Sequence, residues 1–420
     1  MKFYRLLLCF LATIAVESAS QAVEKLTLEE AIELGTRSNI SVLKSEQSLI
    51  IARQQVREAR LIFLPSIVFS ADYARSYLDY PLILNEETGP RYLDPYYEGG
   101  DFYGVRATAA LPLYTGGRYR KTLELAKINY SREKTTLDIA VSQTALKIKK
   151  AFYLALKAGS ISRDLDTVYP LAENLFSSIG KNSAQYFEAF KIIAEMRREK
   201  AEAEKNYKNS VKDLKSLISK IGDFEPEGDF SPSCEKVCDE KKISLAAVEN
   251  SGELQKNIYQ SRIDAVSVEM AVRRKYPNIY LGFSYDLSAR KLSSLANSDE
   301  RMSSSAAFIN LSLPINYDFW TQIQKKKAEE RANELEMLSI REDIKNRAET
   351  SCREYNFYCQ TLNENGKILQ ELRTMLDVPD RDSFSALKKI KIFCELKKSY
   401  YGDVYLQREK SFELEGFIKK

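Results

Sequence analysis

The 420-residue chain contains no histidine. That excludes His-based triads, His-ligated zinc and the commonest general base. Past its first residues it has no run approaching ~18 consecutive apolar residues, so no helix reads as membrane-spanning. Neither sign of charge dominates: 63 basic and 59 acidic residues leave +4, and a nucleic-acid footprint requires a clustered basic face. No CxxC, nucleophile–base pair or phosphate-binding loop is present, so neither catalysis nor a bound cofactor or metal is expected. The length alone allows two or three ordinary domains.

The one strongly apolar run is at the start. Lys2 and Arg5 precede Leu6 to Val16, interrupted only by Thr13, and Ser20-Gln21-Ala22 puts small residues where a signal peptidase reads. Residues 1–22 are therefore expected to be a signal peptide, cleaved after Ala22. Cys9 lies inside that run, which leaves five cysteines in the mature chain. Cys234 and Cys238 flank a short polar stretch in a linker and are the candidate disulfide of an oxidising compartment. Cys352, Cys359 and Cys394 sit in helical patterns and read as small apolar fillers. An odd total leaves at least one free thiol.

The rest of the chain alternates between two periodicities. Thr27 with Glu30 reads as a capping box opening a helix. A second helix is expected from about Ile40 to Phe63, stopped by Pro65. Ile67, Phe69, Ala71 and Tyr73 then alternate with polar or small residues, Val68 being the one apolar residue out of phase, as do Tyr103, Val105, Ala107, Ala109, Leu111 and Leu113. Period two marks strands with one apolar face, here about 66–78 and 102–114. Between them Tyr80 to Gly100 reads as a loop. From Gly117 a helical pattern runs towards Gly180, with Leu137, Val141, Ala145, Ile148, Phe152 and Leu156 on one stripe. At ~1.5 Å per residue such a helix reaches roughly 95 Å. A second long helix is expected from about Ala184 to Ile221.

After a linker at 222–241 the same order returns. Strands are expected at about 278–289, with Ile279, Leu281, Phe283, Tyr285 and Leu287 on one face, and at 304–316, with Ala307, Ile309, Leu311, Leu313 and Ile315. A long helix follows from about Phe319 to Asp377, then a turn, then a last helix. Ile51, Pro65, Ile67 and Tyr73 match Ile263, Pro277, Ile279 and Tyr285 at one constant offset. Leu111, Pro112, Ala126 and Tyr153 match Leu313, Pro314, Ala328 and Tyr355 at another. The difference falls in the inter-strand loop, where length changes cost little. Residues 23–221 and 242–420 thus read as two copies of one helix–strand–strand–helix unit.

Strands of about ten alternating residues suit a tilted crossing of a bilayer. A lone four-stranded sheet cannot sit there, because its edges leave backbone groups unpaired and known barrels begin at about eight strands. Other copies of the chain must complete it. Tyr73, Tyr77, Tyr103, Tyr114, Tyr276, Tyr285, Tyr317 and Trp320 lie on or near the strands as a candidate aromatic girdle. The competing picture is a non-transporting periplasmic coiled-coil scaffold or adaptor subunit, which four alternating strands disfavour.

With Leu26-Thr27-Leu28-Glu29-Glu30-Ala31, Leu111-Pro112-Leu113-Tyr114-Thr115-Gly116-Gly117, Leu313-Pro314-Ile315 and the duplication, the chain resembles the outer-membrane efflux protein (TolC) family over nearly its whole mature length. The resemblance implies a mainly α fold with a membrane β-barrel portion. It implies a homotrimer whose twelve strands close one barrel in the outer membrane of a Gram-negative bacterium, embedded in lipid and continued by a long α-helical periplasmic tunnel. It further implies a periplasmic adaptor and an inner-membrane pump as partners. Matched to the family's tip turns, Gly180, Ser183 and Phe187 and, on the second turn, Ser383, Phe384 and Leu387 become the adaptor-docking candidates. Asp380, Arg381, Asp382, Ser385 and Lys388 become the aperture candidates, although the family's aperture aspartates align with Ser385 and Lys388 here. Asp380 and Asp382 equally suit capping of the last helix. Gly116 and Gly117 mark the strand–helix join, where a sharp change of direction calls for glycine; Asp318-Phe319 stands at the matched place in the second copy.

Overall fold

A computed structural model of the chain describes residues 24–76, 83–86, 89–92, 100–181, 185–220, 222–234, 237–314, 317–376 and 382–418. The expected signal peptide, Tyr77 and Ile315 lie outside them. In order, the elements are β1 (Glu24–Leu26), α1 (Leu28–Ser38), α2 (Ile40–Leu61), β2 (Ser66–Ser76), β3 (Ile83–Glu86), β4 (Gly89–Tyr92), β5 (Gly100–Tyr114), α3 (Arg118–Ser177), α4 (Tyr186–Ile218), β6 (Phe224–Pro226), α5 (Glu240–Asn250), α6 (Gly252–Arg273), β7 (Asn278–Ala289), a 3-10 turn at Leu292–Leu295, β8 (Met302–Ser312), α7 (Phe319–Leu376) and α8 (Ser383–Ile418). The order helix, helix, strand, strand, long helix, helix runs twice.

Local chemistry sets several of these boundaries. The Glu30 amide donates to Thr27 Oγ1 and the Thr27 amide donates to Glu30 Oε2 at 3.0 Å, so two donors left open at the helix start are satisfied. α2 stops short of Pro65, because the residue before a proline is pushed out of the helical region. Ser219, just beyond α4, has φ +51°, a left-handed ending usually left to glycine. The expected loop after β2 carries a short antiparallel hairpin of β3 and β4. β1 pairs in parallel with β6 from the linker; three-residue strands are too short to reveal a period.

The chain divides into two compact units, each drawing on both halves of the sequence. The first comprises residues up to 47, 136–254 and from 339 onwards. It is helical, apart from the β1–β6 pair. One of its cores gathers Leu26, Ile148, Phe152, Leu156, Leu214, Ile218 and Phe224. Burial of each large apolar side chain there contributes about 1.5–3 kcal/mol. The α3 stripe begins differently from its sequence pattern: Ala140 and Thr144 are buried, while Val141 is exposed. A second core packs Ile243 and Ala247 of α5 against Ile344, Ala348, Cys352 and Tyr355 of α7 and Leu414 of α8.

The cysteines correct two sequence expectations. Cys234 does not pair with Cys238. Instead Cys234 is bonded to Cys359 and Cys238 to Cys352, each with 5.6 Å between Cα atoms. Cys352 and Cys359 are therefore cross-links and not apolar fillers; among the described residues only Cys394 remains a free thiol. Side chains of α7 and α8 hold the same linker. The Asn356 amide group accepts from the Cys238 N–H and donates to the Cys238 carbonyl, both at 2.9 Å. Tyr355 and the fully buried Gln407 both donate to the Ser233 carbonyl, at 2.9 and 2.8 Å.

The second unit comprises residues 48–135 and 255–338. Its centre is one antiparallel sheet in the order β2-β5-β7-β8, with strands of 11, 15, 12 and 11 residues.

Candidate channel sheet and helical turns

The register of the sheet sorts its side chains. Ile67, Phe69, Ala71 and Tyr73 stand opposite Ala109, Ala107, Val105 and Tyr103. Those in turn face Phe283, Tyr285, Leu287 and Ala289, and Leu281 and Ile279 face Ile309 and Leu311. Paired residues lie on one side of a sheet, so the alternations expected from all four strands merge into one apolar face. It is not covered: Phe69 is 77% exposed, Ile309 69% and Leu311 68%. The other face carries Ser66, Ser70, Asp72, Thr108, Ser284, Ser288 and Ser304 together with the apolar Val68 and Phe308, and Arg106 of β5 forms an ion pair with Asp286 of β7 across it. Within the described residues β2 and β8 each pair on one side only, so the sheet has two open edges. Tyr73 and Tyr103 stack at 5.1 Å near one end of the strands; Tyr114 and Tyr276 lie towards the other, whereas Tyr285 is in mid-strand.

A bulge between Pro112 and Tyr114 ends the β5–β7 ladder. Gly116 and Gly117 follow with φ +63° and +75°. A Cβ on Gly116 would lie 2.7 Å from Tyr276 Cβ and 3.2 Å from the Arg273 carbonyl oxygen. One on Gly117 would lie 2.5 Å from an Arg273 guanidinium nitrogen. The turn needs both the left-handed backbone and the missing side chain. At the second join Asp318 instead opens α7, accepting from the Gln322 amide at 2.9 Å on its carbonyl.

In the helical unit, the α3–α4 turn and the start of α8 come together. Ser178 and Ser383 hydroxyls lie 2.8 Å apart. Tyr169, Ala172, Ala189, Ile193 and Met196 enclose Phe384 and Leu387. Those two docking candidates are buried, at 6% and 0% exposure, and hold the turns together from within. Gly180 has open space around it and Phe187 is 82% exposed. Phe187 belongs to an aromatic group with Phe176, Tyr186 and the half-exposed Phe190. Tyr186 and Phe190 were not among the sequence candidates; the aromatic spacing Tyr186-Phe187-x-x-Phe190 is the signal that marks them. Ser183, Asp380 and Arg381 lie outside the described residues.

Of the aperture candidates, Asp382 caps α8, its Oδ1 accepting from the Phe384 amide at 3.2 Å. Lys388 reaches Glu188 of α4 at 2.7 Å and lies 4.4 Å over the Phe384 ring. Ser385 is half-buried. One turn further on, Lys391 is buried, with its ammonium 2.5 Å from Glu199 and 3.2 Å from Glu395. Burial works against its charge, but the hydrogen bonds it donates to Glu199 and Glu395 prevail and raise its pKa above the ordinary lysine value. Cys394 nearby has its thiol pushed up to about 11, chiefly by burial. Among the described residues no helix is long and apolar enough to cross a membrane, and no cluster of metal-ligating side chains occurs.

The architecture is thus a helical unit with long hairpins and a second unit built on a four-stranded antiparallel sheet with a bare apolar face. No protein-family profile and no curated protein sequence matches the chain. Solved structures do. The open state of the MtrE outer membrane channel of Neisseria gonorrhoeae superposes with a TM-score of 0.73, at 15% identity, over 93% of this chain and 88% of that chain. The CmeC outer membrane channel of Campylobacter jejuni gives 0.71 at 14%, over 93% and 85%. The outer membrane protein VceC of Vibrio cholerae gives 0.66 at 12%, over 93% and 96%. The chain has the fold of the outer-membrane efflux channels.

Proposed function

We propose that the protein is an outer-membrane exit duct of a Gram-negative bacterium, serving a tripartite efflux or type I secretion assembly. Three copies join β8 of one to β2 of the next and close a twelve-stranded barrel. Their helices form a periplasmic tunnel, and the turns that hold Gly180, Ser183, Phe187 and Ser383 dock a periplasmic adaptor joined to an inner-membrane pump. The chain performs no covalent chemistry of its own; the pump supplies the energy.

The observation that carries this reading is the sheet: an uncovered apolar face, an opposite face that is mostly polar or small, and two open edges. In water such a surface is an aggregation hazard. In a bilayer the apolar face is solvated by lipid, and closure of the edges satisfies the backbone. A periplasmic scaffold or adaptor subunit has no use for that face. The test is to extract the mature chain from outer membranes in mild detergent and weigh it by mass photometry. The proposal expects three times the mass of one chain; a soluble monomer removes it.

A further inference from the structure

The disulfide pairs are nested: the first linker cysteine bonds the last helix cysteine, Cys234 to Cys359, and the second bonds the first, Cys238 to Cys352. We propose that the chain is a client of a thiol–disulfide isomerase, because it matures through a Cys234–Cys238 bond that has to be exchanged. The proposal rests on the chain being exported to an oxidising compartment.

Three features lead there. The first is order of appearance. Cys234 and Cys238 enter the compartment together, whereas Cys352 follows Cys238 by 114 residues. At the pace of synthesis that interval is about 6–23 s. The second is proximity. Loop closure disfavours the native pairs, separated by 114 and 125 residues, against the adjacent pair by on the order of 100-fold in effective concentration. A thiol oxidase that meets the emerging chain therefore joins Cys234 to Cys238 first. The third is helix geometry. Cys352 and Cys359 both lie on α7, seven residues and so about 10 Å apart along its axis. That exceeds the ~7 Å limit for a disulfide between Cα atoms. Once α7 has formed, its two cysteines cannot pair with each other and remain thiols beside a linker already closed on itself.

The linker is positioned for the exchange. It runs antiparallel to α7, and its four-residue step from Cys234 to Cys238, at most ~14 Å when extended, spans the ~10 Å between the helix cysteines. Asn356 and Tyr355 lie between the two helix cysteines and hydrogen-bond to the backbone of Cys238 and Ser233, so the linker is tied to α7 by contacts besides the two bonds. While Cys234 and Cys238 are bonded their Cα atoms are held within ~7 Å, so the linker cannot set both against Cys359 and Cys352, ~10 Å apart on α7, and the proposal takes the first attacking thiol from outside. Cys394 packs with Phe384 and Leu387 in a different core, and its raised pKa keeps it a thiol near neutral pH.

In the exchange, an isomerase thiolate attacks Cys234 Sγ. The Cys234–Cys238 bond breaks and Cys238 leaves as a thiolate. The Cys359 thiolate then attacks Cys234 Sγ in the mixed disulfide and releases the isomerase thiolate, with no net oxidation. The Cys238 and Cys352 thiols finally pass two electrons and two protons to the disulfide of a thiol oxidase, which is reduced to a dithiol.

The chain is to be expressed in a Gram-negative host with and without its periplasmic isomerase, trapped with N-ethylmaleimide at harvest, and mapped as unreduced peptides. With the isomerase, both nested bonds are expected. Without it, their yield falls several-fold and a Cys234–Cys238 peptide appears. Cys238→Ser with Cys352→Ser leaves only the Cys234–Cys359 bond to form, and Cys234→Ser with Cys359→Ser leaves only Cys238–Cys352. Each double variant is expected to oxidise equally well in both hosts. Equal yields of the nested bonds from wild-type chain in both hosts overturn the proposal, as do four free thiols in the host that has the isomerase. Weighing the same preparations in detergent separates the two ideas: a correctly bonded monomer removes the channel and leaves the client, and a trimer with equal yields in both hosts does the reverse.

Discussion

Gly116→Ala is expected to weaken the β5–α3 join by an amount the structure sets. An alanine there is forced to φ +63°, which costs about 1–2 kcal/mol for an L-residue. Its Cβ also meets Tyr276 Cβ at 2.7 Å and the Arg273 carbonyl at 3.2 Å. Neither is the free end of a flexible side chain, so overpacking adds about 1–3 kcal/mol. The total is about 2–5 kcal/mol per chain. Gly416→Ala provides the opposite case: it lies inside α8 with nothing within 4 Å of a new Cβ, and a helical alanine stabilises by about 0.5–1 kcal/mol. Thermal unfolding of the detergent-solubilised protein is the assay. At ~2.1 cal/mol/K of unfolding entropy per residue, a chain of 420 residues shifts by roughly 1 °C per kcal/mol, so Gly116→Ala lowers the midpoint by about 2–5 °C while Gly416→Ala raises it slightly. If the two variants melt together, the join is not the tight left-handed turn described.

Lys391→Ala leaves Glu199 and Glu395 facing each other without their shared cation. The cost is about 2–3 kcal/mol, below that of a fully buried pair because Glu395 is half exposed, and the first turns of α8 should exchange amide hydrogens faster; unchanged exchange contradicts the tie. Because the folded-state pKa of Lys391 is raised, its contribution is complete at neutral pH and is lost only as pH climbs past the ordinary value of 10.5. Glu413 gives the acid counterpart. Burial works against its charge, but Lys150 at 2.7 Å and Lys410 at 3.1 Å hold its pKa below 4.5, so its contribution is present above that value and fades as pH falls through the lower folded pKa. A curve of melting temperature against pH should lose part of its acid limb in Glu413→Gln and does not if the pairing is idle. Arg381→Ala with Asp382→Ala is expected to raise single-channel conductance by removing ion pairs of about 0.2–1 kcal/mol each between copies, and high salt should do the same to wild type. Asp382→Asn retains the cap acceptor, so conductance that rises only in Asp382→Ala traces to the cap and not to charge.

The strands were legible because a half-exposed sheet has a period of exactly two residues per repeat, and all four apolar faces fall on one side in the observed register. Helix starts with side-chain caps were legible for the same local reason, as Thr27 and Glu30 illustrate. What depends on distant partners was not. Cys234 and Cys238 look like a pair because they are neighbours in sequence, yet helix cysteines more than 100 residues on take both. Family resemblance placed Phe384 and Leu387 on a docking turn, but α3 and α4 close over them. The ion pair of Lys388 with Glu188 of another helix was not legible either. The β1–β6 pair escaped notice because three residues carry no period.

The central claim is that open edges β2 and β8 meet in neighbouring copies. It is tested most directly by cysteine cross-linking in outer membranes, in a Cys394→Ser background that has no other free thiol among the described residues. Single cysteines on β2, at Ile67, Phe69 or Ala71, are combined with single cysteines on β8, at Ala307, Ile309 or Leu311, so that every register on the apolar face is sampled. The account predicts that some pairs give a covalent ladder on denaturing gels that stops at three chains, the last one a closed ring. No cross-link in any register, or a ladder that continues past three, contradicts it.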